Sequence, residues 1–505
     1  MRVLEGAAWR ADVPDYTPEA GDVALTVRRW LTIAPVEGLY FVRASSPRMV
    51  LNYLRELGPR EVWRKVRSRR AEHARNAKFV SVGIGLASDS AVYLFVAPAH
   101  PQAVDAIALS ASAVRRLDVA APADLRTARW TESCPSALAA VAGWSSHSGE
   151  IASSALWSEA LDAAHELIFS ADWDTVPAIA PASEPPPAAG PVSGRGVLYG
   201  YGNYAKLYVV PNVDARIPID LICEIDPLQI PADRLAVPRW STRARPHPDD
   251  RFDAWFIAGY HHGHAEIAAQ ALMQGAVAVV EKPLAVDQGQ LDSVLDALDS
   301  GAGGRLFAGY HKRHSVLTAL ALNDLAAAPG APIDYHCTVY EVPLPPRHWY
   351  RWPNSHSRIV SNGCHWLDHF LYVNGYAAPQ EIEVTAARSG TIDCNVELAN
   401  GAFFTMALTE HGSERLGVRD HIELRHGPVT VTIDDGSRYR AESSERVIRT
   451  RRVNKTTGYS AMYRSIAEAI VTGGPGDSRS SIATGGQLII DVETRLRVRY
   501  GIAAA

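Results

Sequence analysis

Val197-Leu198-Tyr199-Gly200-Tyr201-Gly202-Asn203-Tyr204-Ala205 decides the fold. Three apolar residues make a short strand, and G-x-G-x-x-A follows at once. The first glycine allows a tight turn, and the second lets a pyrophosphate approach the backbone. The small Ala205 lets helix and strand pack closely. The helix that begins there turns its positive end toward bound phosphates. The turn Gly200, Gly202, Asn203 and Tyr204 is therefore the expected dinucleotide cradle. A second apolar run, Ile219 to Ile225, closes on Asp226. An acid at that strand end hydrogen-bonds a ribose 2′-hydroxyl and repels a 2′-phosphate, which favours NAD over NADP. Glu224 is the rival acid. Arg234 or Arg239 would accept the phosphate of NADP.

Outward from this motif, strands and helices alternate. Trp255–Ala258 reads as a strand, and Ile267, Ala268, Ala271 and Leu272 recur at helical spacing. Ala276–Val280 is a buried strand, Leu291, Val294, Leu295 and Leu298 mark a helix, and Arg305–Ala308 is another strand. This order predicts an α/β, doubly wound parallel sheet of the Rossmann type. After about residue 375 the texture changes. Alternating runs at Glu381–Ala387, Phe403–Thr409, His421–Leu424 and Val429–Ile433, with turns at Asn400-Gly401 and Asp435-Gly436, predict a large, mostly antiparallel sheet. A last helix is expected over Tyr459–Ile470.

The strand Ala276–Val280 delivers Glu281-Lys282-Pro283 to the cleft at the carboxyl ends of the strands, where α/β folds bind ligands. Lys282 there can donate to a substrate oxygen and stabilise charge on it. A solvated surface lysine is the plain alternative. Further on stands Arg358-Ile-Val-Ser-Asn-Gly-Cys-His-Trp-Leu-Asp-His-Phe370. His365, Asp368 and His369 share one helix face. A histidine with a carboxylate one turn away can be oriented as a proton acceptor. A structural histidine is the plain alternative. His365 and His369 at i, i+4, with His261, His262 and His264, raise the question of a metal. No H-E-x-x-H occurs and no third converging ligand is evident, so no metal is expected.

Together, Ala258-Gly259-Tyr260, His264, Ala271, Gly275 and Glu281-Lys282-Pro283-Leu284 resemble the glucose–fructose oxidoreductase / inositol dehydrogenase / MocA family. Gly309-Tyr310-His311-Lys312-Arg313-His314 resembles its later strand-end segment. The resemblance covers about 196–490. It implies a Rossmann domain, a C-terminal α/β domain with a large open sheet, and a bound NAD or NADP. It makes Lys282 the catalytic lysine and His365 the proton-exchanging residue, with Asp368 in support. His264 would line the nicotinamide end of the cleft, with a surface residue at the helix N-terminus as the plain alternative, and Glu281 and Lys282 count with the cofactor-binding residues. Many relatives place an aspartate four residues before that histidine; here the position is Ser361. Its absence weakens the relay of a polyol dehydrogenase and leaves room for carbonyl or imine reduction. The implied activity is hydride transfer on a carbonyl, alcohol or imine in specialised or sugar-related biosynthesis. Two further readings stand beside it: a non-catalytic NAD(H)-binding structural or regulatory protein, and elimination of a glycosidic bond through transient oxidation. Open sheets of this kind usually pair, so a homodimer or homotetramer is expected.

The loop His348–Pro353 brings Trp349, Tyr350 and Arg351 ahead of the His365 helix. These side chains suit a substrate cover, or equally a core or an interface.

The chain has 505 residues, enough for about three domains at roughly 100–200 residues each. The Pro-rich segment 176–193 reads as a linker between an extra N-terminal α+β domain (1–175) and a Rossmann domain (194–318). The C-terminal substrate and oligomerisation domain is 319–505. The N-terminal part weakly resembles, at Val92–Pro101, a degenerate GroES-like domain without its catalytic zinc set. Residues 60–78 carry eight Lys/Arg against two Glu, a solvated face or a docking surface for an acidic carrier protein that tethers the substrate. Otherwise the expected partner is a small-molecule substrate. The formal charge of −5 is too balanced to predict nucleic-acid or membrane binding. Five scattered cysteines without C-x-x-C fit a reduced, cytoplasmic protein, and no stretch suits a signal or membrane helix.

Overall fold

The computed structural model describes residues 195–213, 215–224, 239–241, 245–247, 250–342, 350, 355–411 and 417–500, and before them mainly isolated strands. Contacts divide the chain into two units. One comprises 1–44, 64–187 and 221–244, the other 45–63, 188–220 and 245–505. The proline-rich segment, most of the basic stretch 60–78, and the positions Asp226, Arg234, Trp349 and Arg351 lie outside the described residues.

In the first unit, β1 (Arg2–Glu5), β2 (Asp22–Ala34), β3 (Val80–Leu86), β4 (Val92–Pro98), β5 (Ala106–Ser110) and β6 (Val114–Leu117) form one antiparallel sheet. Its order is β1-β2-β3-β4-β6, with β5 also on β2. Leu25, Ile84, Leu94 and Phe95 are buried.

The second unit opens with β7 (Gly196–Tyr199) and helix α1 (residues 203–213). Strand β8 (Ile219–Cys223), whose last three residues are counted with the first unit, follows, then β9 (Ala254–Ile257) and α2 (His264–Met273). Strand β10 (Val277–Glu281), α3 (Gln288–Asp299) and β11 (Arg305–Gly309) complete the set. The sheet order is β11-β10-β9-β7-β8, with a sixth short strand, Arg239–Ser241, parallel on β8, and the registers of β7, β9, β10 and β11 are parallel. Every residue of β7, β9 and β10 is buried, as a strand covered on both faces requires. The expected doubly wound α/β sheet is present. Helix α1 departs from a regular helix. It widens over Ala205–Val209, where the Val210 N–H reaches back to the Ala205 carbonyl. Pro211, next in the chain, has no N–H to continue the ladder.

Helix α4 (Val316–Leu325) leads to a second sheet. It contains β12 (Asp334–Tyr340), β13 (Pro379–Ala386), β14 (Ile392–Leu398) and β15 (Phe403–Thr409). It continues through β16 (Arg419–His426), β17 (Val429–Asp434), β18 (Arg438–Ser443) and β19 (Val447–Arg452). The order is β13-β14-β15-β12-β16-β17-β18-β19, antiparallel except for β12 on β15. Side chains alternate strictly: Cys394, Val396 and Leu398 point in, while Asp393, Asn395 and Glu397 point out. The buried face carries α4 against β16–β18 and α5 (Cys364–Val373), whose Phe370 packs on Tyr335 and Phe404; α6 (Thr457–Val471) lies against α1 and the turn after β11, and α7 (Arg479–Tyr500) runs along β13. The turn between β17 and β18 has positive φ at both Asp435 (53°) and Gly436 (59°), and the Ser437 N–H closes it on the Asp434 carbonyl at 2.9 Å.

Helix α7 is an addition to what the periodicity showed. Its glycines hid it, and they are what it needs: a Cβ on Gly486 would stand 2.6 Å from Leu291 Cδ1 of α3. Gly200 is similarly constrained. Its φ is +89°, and a Cβ there would lie 2.5 Å from the Ala258 carbonyl oxygen. Gly200→Ala should therefore lower the melting temperature, by an amount matching about 1–3 kcal/mol. Calorimetric melting of the variant checks this; an unchanged midpoint would show that the turn relaxes freely.

Candidate active site

Lys282 is the first residue past β10, and His311 is the second past β11. Those strand ends are register partners, Glu281 opposite Gly309. The topology therefore delivers both residues to one end of the parallel sheet. The Lys282–Pro283 peptide is cis. The Lys282 ammonium donates to the backbone carbonyl of Ser361 at 2.8 Å and sits 5.6 Å from the ring centre of Tyr350. Burial pulls the Lys282 pKa down, but Tyr350, Cys364 and Glu281 outweigh it and hold the group above its ordinary value. Lys282 is thus a cation at neutral pH.

Ser361 lies in a wide turn, Ile359–Gly363, that runs straight into α5. His365 stands one turn further along. It is 7% exposed, and its Nδ1 is buried with no hydrogen-bond partner among the described residues. Burial first, then Lys282, His311 and Lys312, push its pKa well below the usual histidine range. His365 is therefore a neutral base at physiological pH, as a proton acceptor must be. Its ring meets His311 edge-on at 4.8 Å and Tyr310 at 6.2 Å.

Asp368 does not orient His365, as the i, i+3 spacing suggested. Its carboxylate binds the Arg313 guanidinium in a fork, with Nε at 2.8 Å, and accepts from Tyr376 at 3.3 Å. The reason is local: Arg313 is 9% exposed, and only a carboxylate can neutralise it there. Arg313 also pairs with Asp477 at 3.1 Å, whose other contact is the Ala308 N–H of β11. Asp368 thus clamps α5 to the end of β11. His369 is equally structural, held between Thr318 Oγ1 (2.9 Å) and the Tyr335 hydroxyl (3.0 Å). No cluster of three metal-ligating side chains occurs among the described residues.

His264 is 1% exposed, with Nδ1 2.8 Å from the Pro283 carbonyl and Nε2 3.1 Å from the Gly259 carbonyl. It ties the end of β9 to the loop after Lys282. Burial lowers its pKa. Glu281 accepts a hydrogen bond from Tyr463, and burial raises its pKa while Tyr463 and Tyr204 pull it back. Tyr204 turns its ring into a cluster with Tyr208 (5.2 Å), Tyr459 (5.8 Å) and Tyr463 (6.4 Å). Asn203 is half-buried in the first turn of α1, and a Cβ on Gly202 would meet nothing within 4 Å. The backbone at Gly202 is open to the close approach that a pyrophosphate needs. Glu224 is 7% exposed just past β8. Tyr350 packs 4.9 Å from His261 and covers Lys282.

Sequence reasoning quoted Gly309–His314 only as a family-like segment and gave His311 no role. Its place at a strand end beside Lys282's strand was the available signal. Tyr459 and Tyr463 gave no signal, because only the fold brings α6 to the cleft.

No family model matches the chain, and no curated protein matches it. Solved structures do match. A dehydrogenase from Chromobacterium violaceum superposes with a TM-score of 0.51 at 14% identity, over 61% of this chain and 96% of that one. UDP-N-acetylglucosamine 3-dehydrogenase GnnA from Acidithiobacillus ferrooxidans gives 0.50 at 18% identity, over 61% and 99%. A Gfo/Idh/MocA family oxidoreductase from Vibrio cholerae gives 0.47 at 14%, over 60% and 98%. Over 61% of its length the chain shares the fold of the first two, both dehydrogenases. The fold that the sequence resemblance implied is therefore the fold observed.

The buried neutral histidines make a pH prediction. His264, His311, His365 and His369 all have lowered pKa values, His369 down to about 3 from 6.5. Below pH 6.5 the unfolded chain binds protons that the native chain refuses, so stability falls with pH. Each such group contributes a slope of about 1.4 kcal/mol per pH unit. Urea unfolding should show stability dropping between about pH 6.5 and 5, above the ordinary carboxylate range. A flat profile there would mean these rings protonate while folded.

Proposed function

We propose that the protein is an NAD(P)-dependent oxidoreductase acting on a carbonyl, alcohol or imine group of a small molecule, in specialised or sugar-related biosynthesis. One observation carries the reading: a cationic lysine at a strand end is bonded to the turn that presents a neutral, buried histidine. The glycine turn and the open backbone at Gly202 fit a dinucleotide, with Gly200, Gly202, Asn203 and the start of α1 as its cradle. When bound, the nicotinamide supplies hydride chemistry. Lys282 polarises the substrate oxygen or nitrogen and stabilises its developing charge. His365 takes or returns the proton. Tyr350 covers the lysine and excludes water. Ser361 contributes its backbone carbonyl, which orients Lys282; an aspartate at this position would add a carboxylate.

NAD is favoured if an acid at the end of β8 meets the ribose. NADH and NADPH titrated separately by calorimetry should give micromolar or tighter binding, with NADH the stronger. Lys282→Met should keep that affinity and lose at least 100-fold in turnover on any substrate found. Tight NADH binding without hydride exchange on carbonyl, polyol and imine panels would support the alternative, a non-catalytic holder of NAD(H).

The proposed assembly is a homodimer or homotetramer through the open sheet face. That face carries Glu381, Glu383 and Asp393 at one side, and at the other Arg425, Arg438 and Arg440, which pair with Glu423, Asp434 and Glu442. Light scattering should give the mass of a dimer or a multiple; a monomer at micromolar concentration would contradict it. The described cysteines, Cys223, Cys337, Cys364 and Cys394, are free and buried, which supports a cytoplasmic location. No described helix is long and apolar enough to cross a membrane.

A further inference from the structure

Three cations near the site each have a carboxylate. Arg313 pairs with Asp368 and Asp477, Lys312 with Asp420, and Arg358 with Glu341 at 2.9 Å. Lys282 does not. Among the described residues no carboxylate forms an ion pair with its ammonium, whose partners are the Ser361 carbonyl and the Tyr350 phenol. Glu281 is its neighbour in the chain, but that carboxylate accepts from Tyr463 instead, and burial raises its pKa. Ser361 is fully buried, and its hydroxyl has no partner among the described residues. It offers Lys282 a backbone dipole and no charge.

The imbalance extends into the pocket. After burial, Lys282 and Lys312 are the ammoniums that hold His365 neutral, and Lys312, Lys282 and Lys455 do the same for His311. A cation drawn out of water without a counter-ion is costly. Lys282 is only half-buried, so a ligand can reach it.

We propose that the substrate supplies the missing anion, as a carboxylate attached to the reacting carbonyl or imine carbon: a 2-oxo or 2-imino acid. The proposal deepens the oxidoreductase reading and rests on it; the hydride chemistry is unchanged. The reach of one ammonium fixes where the carboxylate stands. Lys282 has to polarise the reacting oxygen or nitrogen, and the same Nζ can also hold a carboxylate oxygen only when that group is on the same carbon. In a planar O=C–C–O⁻ unit the two acceptors lie side by side. An ammonium carries three donor hydrogens and can serve both while it keeps the Ser361 carbonyl. A phosphate or a remote carboxylate would reach Lys282 only by displacing the reacting group. Ser361 suits such a substrate, because it sets no carboxylate against the incoming one.

The test needs no turnover. The probes are oxamate, an unreactive amide with this O=C–C–O⁻ unit, and methyl oxamate, its neutral ester. Each is titrated by calorimetry into the full chain saturated with NADH. Oxamate should bind at least about tenfold tighter than the ester. Lys282→Met should abolish that preference. Ser361→Asp brings an internal carboxylate near the ammonium and should weaken oxamate at least about tenfold. Ser361→Asn, of similar size and uncharged, should keep the preference. If Ser361→Asp does not fold, Lys282→Met decides alone. Equal affinity for oxamate and its ester, no oxamate binding, oxamate binding that survives Lys282→Met or a folded Ser361→Asp, or an equal loss in Ser361→Asn would overturn the proposal. Failure of the intact protein to bind NADH would instead overturn the reading on which it rests.

Discussion

The bond from the Lys282 ammonium to the Ser361 carbonyl joins the two halves of the catalytic unit. Lys282 belongs to the parallel sheet, and Ser361 to the turn that begins α5 on the antiparallel sheet. Everything proposed for the site depends on these two elements meeting at a fixed distance. The charge of Lys282 also sets the protonation of its surroundings, because a fixed cation disfavours a second one nearby. His365 and His311 are neutral partly for that reason.

Around that bond, the buried ions are structural. Asp368 neutralises Arg313. Asp420 neutralises Lys312 at 2.5 Å and accepts from Trp366 at 3.0 Å. These pairs hold α5 and the turn after β11 against the antiparallel sheet, and breaking one would strand a buried charge. Asp368 therefore acts on the site through geometry, by setting where His365 stands. Glu281 is held by Tyr463 in the same manner and ties α6 to the end of β10.

The parallel sheet was legible because fully buried strands and amphipathic helices leave strong periods, and because Gly200 and Gly202 punctuate them. The antiparallel strands were legible wherever alternation was clean, as at Phe403–Thr409. Helix α7 was not, since Gly485 and Gly486 weaken a helical reading, and close packing on Leu291 demands the second of them. Lys282 and His365 were legible from local motifs. The partner of Asp368 was not: one turn away lies His365, but Arg313 comes from a distant strand end. The same holds for His311, whose contact with His365 appears only when β11 and α5 converge.

A crystal structure of the protein with NADH would test the central claim most directly. The account predicts the pyrophosphate over Gly200–Asn203 and the nicotinamide ring facing Lys282 and His365. A dinucleotide bound with its nicotinamide remote from both residues would contradict it.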